Sequence, residues 1–179
     1  MDRRTLKTRK AIREAFLNLL GKKSINRITV AEISQLADLG RGTFYLHYKD
    51  IYDLYSNIEN ALYSEAEHLL DRVCANDSPE NLKNLTNAIT NFIADNRTTF
   101  LLLNGVENNG KTLHKLRRLF HKKLILDNAD LYQSDYQVVE CMFAVSGVIG
   151  VLEEWLFNRI EIPQAQIAES LYRILHKFE

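Results

Sequence analysis

A run of hydrogen-bond donors stands close together near the start of the chain: Arg41, Thr43, Tyr45, His47 and Lys49, with Gly42 among them where two helices must approach closely. Arginine reads guanine in bidentate fashion, threonine touches a thymine methyl or a phosphate, and tyrosine and histidine donate to phosphate oxygens. Thr29 adds a hydroxyl at the amide-rich start of a preceding helix, a place that suits a backbone phosphate, and Lys49 adds charge at the far end. The chemistry implied is recognition of a nucleic acid. Among the neighbouring aromatics, core packing accounts for Phe44 and Tyr48, whereas Tyr45 is less easily explained that way. Catalytic groupings are poorer. Gly40 and Gly42 lack the third glycine and the preceding strand of a dinucleotide fingerprint. The five histidines show no metal spacing: His114 and His121 lie two turns apart on a basic helix, and His68 is six positions from Cys74 with no nucleophile motif around it. An enzyme, a metal site and a bound cofactor are therefore not expected.

The elements that must position these donors read as helices. Ile12, Phe16, Leu19 and Leu20 fall on one face of an amphipathic helix over residues 3–20, and Gly21 stops it. Thr29 and Glu32 form a capping-box pattern, and Val30, Ile33, Leu36 and Ala37 keep helical spacing as far as Asp38. Asp38-Leu39-Gly40 is a break of turn length, with aspartate tolerant of a left-handed backbone and glycine free. Helical pattern resumes over Arg41–Tyr48, with Phe44 turned inward. A basic helix followed by two short helices about a three-residue turn makes a helix-turn-helix, whose second helix enters the major groove.

The charge is uneven in the same place. The 179 residues carry 23 Lys and Arg against 23 Asp and Glu, but residues 1–50 hold 11 bases and five acids, a net +6, which leaves −6 for the remainder. A basic head on an acidic body suggests that one end meets a polyanion. Only seven glycines and two prolines punctuate the chain, which argues against an all-β fold with its many tight turns. Cys74 and Cys141 show neither metal spacing nor a disulfide framework, pointing to a reducing compartment. No apolar run reaches membrane-spanning length, and MDRRTLKTRK leads into an amphipathic stretch where a signal peptide needs an apolar core, so a cytoplasmic protein is expected, with no membrane partner.

The body continues in helices. Asp50 caps a connector with Ile51, Leu54, Ile58, Leu62, Leu69 and Val73 on its inner stripe. Ser78-Pro79 starts another, carrying Leu82, Leu85, Ile89, Phe92 and Ile93. Phe100–Leu103 is a short apolar stretch before a loose Glu107–Gly110. Leu113, Leu116, Phe120, Leu124 and Ile125 mark a helix with a basic outer face, and Ser134 with Gln137 caps a long apolar helix over 135–159. Pro163 opens the last, with Ile167, Leu171, Ile174, Leu175 and Phe178 in phase. In the long helix Gly147 and Gly150 permit close helix approach; with the final helix this is a candidate dimer face, comprising Met142, Phe143, Ser146, Gly147, Gly150, Ile167, Leu171 and Ile174. The other reading is a helix buried all round at the centre of one subunit.

TVAEISQLADLGRGTFYLHYKDIYDLY, residues 29–55, with the basic helix before it, resembles the DNA-binding domain of the TetR family of transcriptional regulators, its most specific part being Gly-Thr-Phe-Tyr-x-His-Tyr at 42–48. The resemblance implies an all-α homodimer of about nine helices, with a three-helix DNA-reading head, residues 1–50, and an effector-binding and dimerising bundle, residues 51–179. It places DNA contacts at Thr29, Arg41, Gly42, Thr43, Tyr45, His47 and Lys49. Two departures from it are visible: many members carry Gly then Ser where this chain has Asp38 and Gly40, and many carry Lys where this chain has Ile51. The run from Gly147 to Phe157, followed by Ile162-Pro163, is similar to a branch that includes dihydroxyacetone kinase regulators. The function implied is a transcriptional regulator, a repressor released from a palindromic double-stranded operator by a small-molecule effector. The alternative is an activator or adaptor whose body answers to a protein partner such as a kinase-like subunit. An effector pocket belongs among the helices from 51 to 159, with no lining residue named.

Overall fold

Side-chain caps start several of these helices, at Thr29, Asp50 and Ser134. In the computed structural model, which describes residues 3–74, 81–105, 111–126 and 134–177, the chain opens with α1 (Arg3–Leu20), α2 (Val30–Leu36) and α3 (Arg41–Tyr45). Thr29 caps α2 in a full capping box with Glu32. The turn after α2 is a Schellman closure: Asp38 N–H donates to Gln35 and Leu39 N–H to Ser34, with Asp38 itself at φ 54°. The left-handed residue of the turn is thus Asp38, while Gly40 sits extended at φ −70° as the residue before α3. Asp50 then accepts from the Asp53 amide at 2.8 Å and starts α4 (Ile51–Cys74).

Five more helices follow among the described residues: α5 (Asn81–Asp95), α6 (Arg97–Leu103), α7 (Lys111–His121), α8 (Asp135–Leu156) and α9 (Gln164–Leu175). No described residue is in a strand, so the all-α reading stands. The expected start at Ser78-Pro79, the loose Glu107–Gly110 and Phe178 lie outside the described residues. Phe100–Leu103 is more than an apolar stretch: it is the second half of α6, held to α7 by Asn104, whose side chain donates to the Phe100 carbonyl and accepts from the Leu113 amide. Past α7 the chain takes one wide turn of π geometry, Lys122–Leu126, in which Lys123 pairs with Asp71 at 2.9 Å and Glu67 at 3.3 Å. These partners raise the Lys123 pKa, the hydrogen bond that it donates to Asp71 foremost.

Ser134 caps α8 by accepting from the Gln137 amide. The helix ends at Leu156, short of the expected 159, because Asn158 turns left-handed at φ 55° and Arg159 N–H reaches back to Glu154. Trp155 is a packing residue, its indole N–H donating to the Ile162 carbonyl at 2.9 Å.

The helices gather into two compact units, Met1–Leu62 and Tyr63–Glu179, with α4 contributing to both. The first has Ile12, Phe16, Ile33, Phe44 and Leu54 fully buried. The second is centred on Phe100, Leu103, Leu116, Phe120, Leu152 and Leu156, with Phe92 packed edge-on to Phe100 at 5.7 Å between ring centres.

The candidate dimer residues separate. Ile167 and Leu171 are interior, 2% and 3% exposed, because α9 lays its apolar stripe along α5. Met142, Phe143 and Ile174 face outward, and Phe143 is 67% exposed. A Cβ added at Gly147 or Gly150 meets nothing within 4 Å, so these glycines make room for no described part of this chain. With Tyr136 and Val139 also exposed, α8 is buried on one side only.

Candidate nucleic-acid interface

α3 is five residues long, too short to stand unaided, and it is held by what it buries. Phe44 is 1% exposed; its ring meets Tyr45 edge-on at 5.6 Å and Tyr48 at a tilt at 5.7 Å. Tyr48 is buried as well, and burial raises its phenol pKa against the opposing pull of Arg9 and Arg13 on α1, so it stands as a neutral anchor. With positions 44 and 48 inward, positions 41, 42, 45, 46 and 49 are turned to solvent. Arg41, Tyr45 and Lys49 therefore present their donors outward, while Thr43 and His47 are half-buried at the margins of the same face.

One residue of this face was missed in the sequence. Leu46 is 81% exposed, the most open large apolar side chain among the described residues, beside Tyr45 at 59%. The signal was the spacing itself, since 42, 45, 46 and 49 share one helical face once Phe44 is fixed inward. An exposed aliphatic group there suits a thymine methyl.

Thr29 is exposed, but its hydroxyl is engaged. It accepts from the Glu32 amide at 3.3 Å and donates to the Glu32 carboxylate at 2.8 Å, while the Thr29 amide donates to the same carboxylate at 2.9 Å. Lys23 pairs with the other carboxylate oxygen. Its hydrogen bond, followed by those of Thr29, holds the Glu32 pKa below the ordinary 4.5. A depressed carboxylate stabilises the fold above its unfolded pKa, and that contribution is lost as pH falls through the folded value. Thermal melts below pH 4.5 are expected to show this loss in the native chain and a flatter acid limb in Glu32→Gln.

Asp38 gives a second expectation. A non-glycine residue at φ 54° carries steric strain that glycine does not. Asp38→Gly is expected to stabilise the head by about 1 kcal/mol, read in chemical denaturation. An unchanged or lower midpoint would mean that the aspartate side chain compensates for its backbone.

His114 and His121 hold no common site. The first sits beside the Arg117 guanidinium at 3.0 Å, and the second lies 3.4 Å from the Ser146 hydroxyl.

The TetR-type family described as transcriptional regulator C-terminal region matches residues 80–177. An uncharacterized HTH-type transcriptional regulator of Bacillus subtilis (strain 168), YxbF, is 30% identical over 80 residues, which are 44% of this chain and 20% of that protein. The chain thus spans about a fifth of the length of that relative. Among solved structures, the dihydroxyacetone kinase operon activator DhaS superposes with a TM-score of 0.66 at 18% identity, covering 95% of this chain and 94% of that one. NalD, the secondary repressor of the MexAB-OprM multidrug efflux pump in Pseudomonas aeruginosa, superposes with a TM-score of 0.67 at 17% identity, covering 98% and 97%. At these identities the two structures establish a common fold. No described helix is long and apolar enough to cross a membrane.

Proposed function

The chain belongs to the TetR family of transcriptional regulators, and from that membership we propose that it is a homodimeric repressor that holds a palindromic operator and releases it when a small molecule fills its body. The observation that carries the DNA-reading part is the division of one short segment. Phe44 and Tyr48 are spent on packing, and Arg41, Tyr45 and Lys49, with Gly42 and Leu46 between them, are left facing water. Arg41 reads a guanine edge, Leu46 lies against a thymine methyl, and Tyr45 and Lys49 take phosphates, with Thr43 and His47 beside them. Thr29 serves as the cap of α2 and reaches a phosphate only by exchanging its bond to Glu32.

Dimerisation is assigned to the outer face of α8, through Met142, Phe143, Ser146, Gly147 and Gly150, with Ile174 of α9. Ile167 and Leu171 support that face from within. The small molecule is assigned to a cavity of about 410 Å³ inside the second unit, between α5, α7, α8 and the end of α9, a size within the ~300–1,000 Å³ of ordinary ligand pockets. Occupancy shifts the population toward dimers whose two heads no longer meet successive major grooves.

The test starts by selecting the operator from a pool of random duplexes. Arg41→Ala is expected to weaken binding by about 1–3 kcal/mol and to relax preference at one base pair, whereas Tyr45→Ala weakens all sequences alike. Affinity is expected to fall steeply with salt. Unchanged gel shifts for both variants would remove α3 from the interface.

The activator reading is favoured by a separate observation. Lys115, Arg118 and Lys122 line an open groove on α7 together with the apolar Leu119 and Leu126, a surface fitted to an acidic protein. A stoichiometric protein partner, with no metabolite moving the melting temperature, would favour that reading over the repressor.

A further inference from the structure

The cavity in the second unit has walls of one kind and a rim of another. Leu85, Ile89, Phe120, Leu124, Val145 and Val148 make it apolar. The polar groups that reach it are Thr86 and Cys141, with Gln137 and Glu140 one turn apart on α8. Thr86 spends its hydroxyl proton on the Lys83 carbonyl at 3.0 Å, which leaves its oxygen to accept. Glu140 is half-buried and makes no ion pair or hydrogen bond with a described residue. Among the described lining residues it is the one formally charged group, and no lysine, arginine or histidine lines the cavity with it. Lys115, Arg118, His121 and Lys122 line the groove on the outside of α7 and the turn after it, which shares no lining residue with the cavity.

An unpaired carboxylate beside an apolar chamber disfavours a second anion and favours a hydrogen-bond donor, most of all a positively charged one. We propose that the cavity takes a lipophilic amine, its alkyl or aryl body among the leucines, isoleucine and valines and its ammonium group on Glu140 and the acceptors beside it. Fatty carboxylates and other apolar anions are thereby excluded. The inference rests on the reading of this cavity as the effector site and adds the chemical class of the effector.

Three probes that share one ten-carbon chain separate the contributions: n-decylamine, which is protonated at neutral pH, n-decanol and decanoate, each titrated calorimetrically below its micelle concentration into the full chain. The expected order is amine, then alcohol, then carboxylate, with at least about tenfold between the first and the last, the worth of a charge-assisted hydrogen bond. Glu140→Gln is expected to bring amine and carboxylate within about threefold of each other while decanol binds as before. Ala144→Phe, which fills the cavity from α8, is expected to abolish all three, and circular dichroism reports whether either variant remains folded. Decanoate binding as tightly as decylamine, a preference that survives Glu140→Gln, or no binding by any probe would overturn the proposal. Gel shifts with the selected operator, with and without decylamine, address the other reading. Binding in the expected order with no change in operator affinity would sustain the ligand class and remove the effector role.

Discussion

Phe44→Ala is expected to unfold the head while leaving the body intact. The ring is 1% exposed and packs on both Tyr45 and Tyr48, so truncation removes the anchor of α3 and leaves a void that a five-residue helix cannot close. Such truncations cost about 3–5 kcal/mol, a large part of the ~5–15 kcal/mol by which whole domains are stable. The protein supplies its own internal control. Its single tryptophan, Trp155, belongs to the second unit, so its fluorescence reports the body alone while circular dichroism reports both. The expected result is an early circular-dichroism transition in denaturant, an unmoved tryptophan transition and complete loss of operator binding. Tyr45→Ala makes the contrast, losing operator affinity with little change in either transition, because its ring is 59% exposed. Native-like unfolding of Phe44→Ala would show that α3 is held by something other than its buried ring.

On the proposal that the outer face of α8 pairs two chains, Phe143→Asp is expected to convert the dimer into monomers of 20.8 kDa. Tyr136, Val139 and Phe143 are 72%, 62% and 67% exposed on one face of α8, and the open space at Gly147 and Gly150 lies beside them. Water is a poor neighbour for such a stripe. In a two-fold interface each substitution is felt twice, and central aromatic positions cost about 2 kcal/mol or more apiece. The expected loss is about 4 kcal/mol, roughly a thousandfold in dimer dissociation constant, read by sedimentation equilibrium. Operator affinity should collapse with it, since a monomer reaches only one half-site. Ile167→Ala tests the distinction between inner and outer faces: it should lower stability and leave the association constant near that of the native chain. A Phe143→Asp protein that stays dimeric would move the interface elsewhere.

What the sequence made legible was whatever depends on neighbours along the chain. The Thr29–Glu32 box, the Ser134 and Asp50 caps and the inward turn of Phe44 are local matters of spacing and hydrogen-bonding capacity, and they are present in the structure. Periodicity identifies a face without saying what it meets. Ile167, Leu171 and Ile174 therefore looked alike, although α5 covers the first two and leaves the third in water. The turn between α2 and α3 was placed correctly but its left-handed residue was not singled out, because Asp38 and Gly40 are both tolerant types and only the closing hydrogen bonds distinguish them. α6 lacked a cap pattern at its start; Asn96 makes no side-chain cap there, and burial of Thr99, Phe100 and Leu103 sustains the helix. The cavity was illegible for a different reason. Its walls come from four helices far apart in sequence, and no single period contains them.

The two-sidedness of α8 has a consequence for how a signal is dosed. One side of the helix lines the cavity through Glu140, Cys141, Val145 and Val148, and the other carries the Phe143 stripe, so the ligand binding and the chain pairing proposed above would lean on a single rod. Whatever a bound molecule does to the affinity of one chain for the other, pairing of chains does equally to the affinity for that molecule. The apparent potency of an inducer then becomes a function of how many copies of the regulator are present. Under that proposal a cell that makes more of the protein would change the concentration at which it responds, with no change in the binding site.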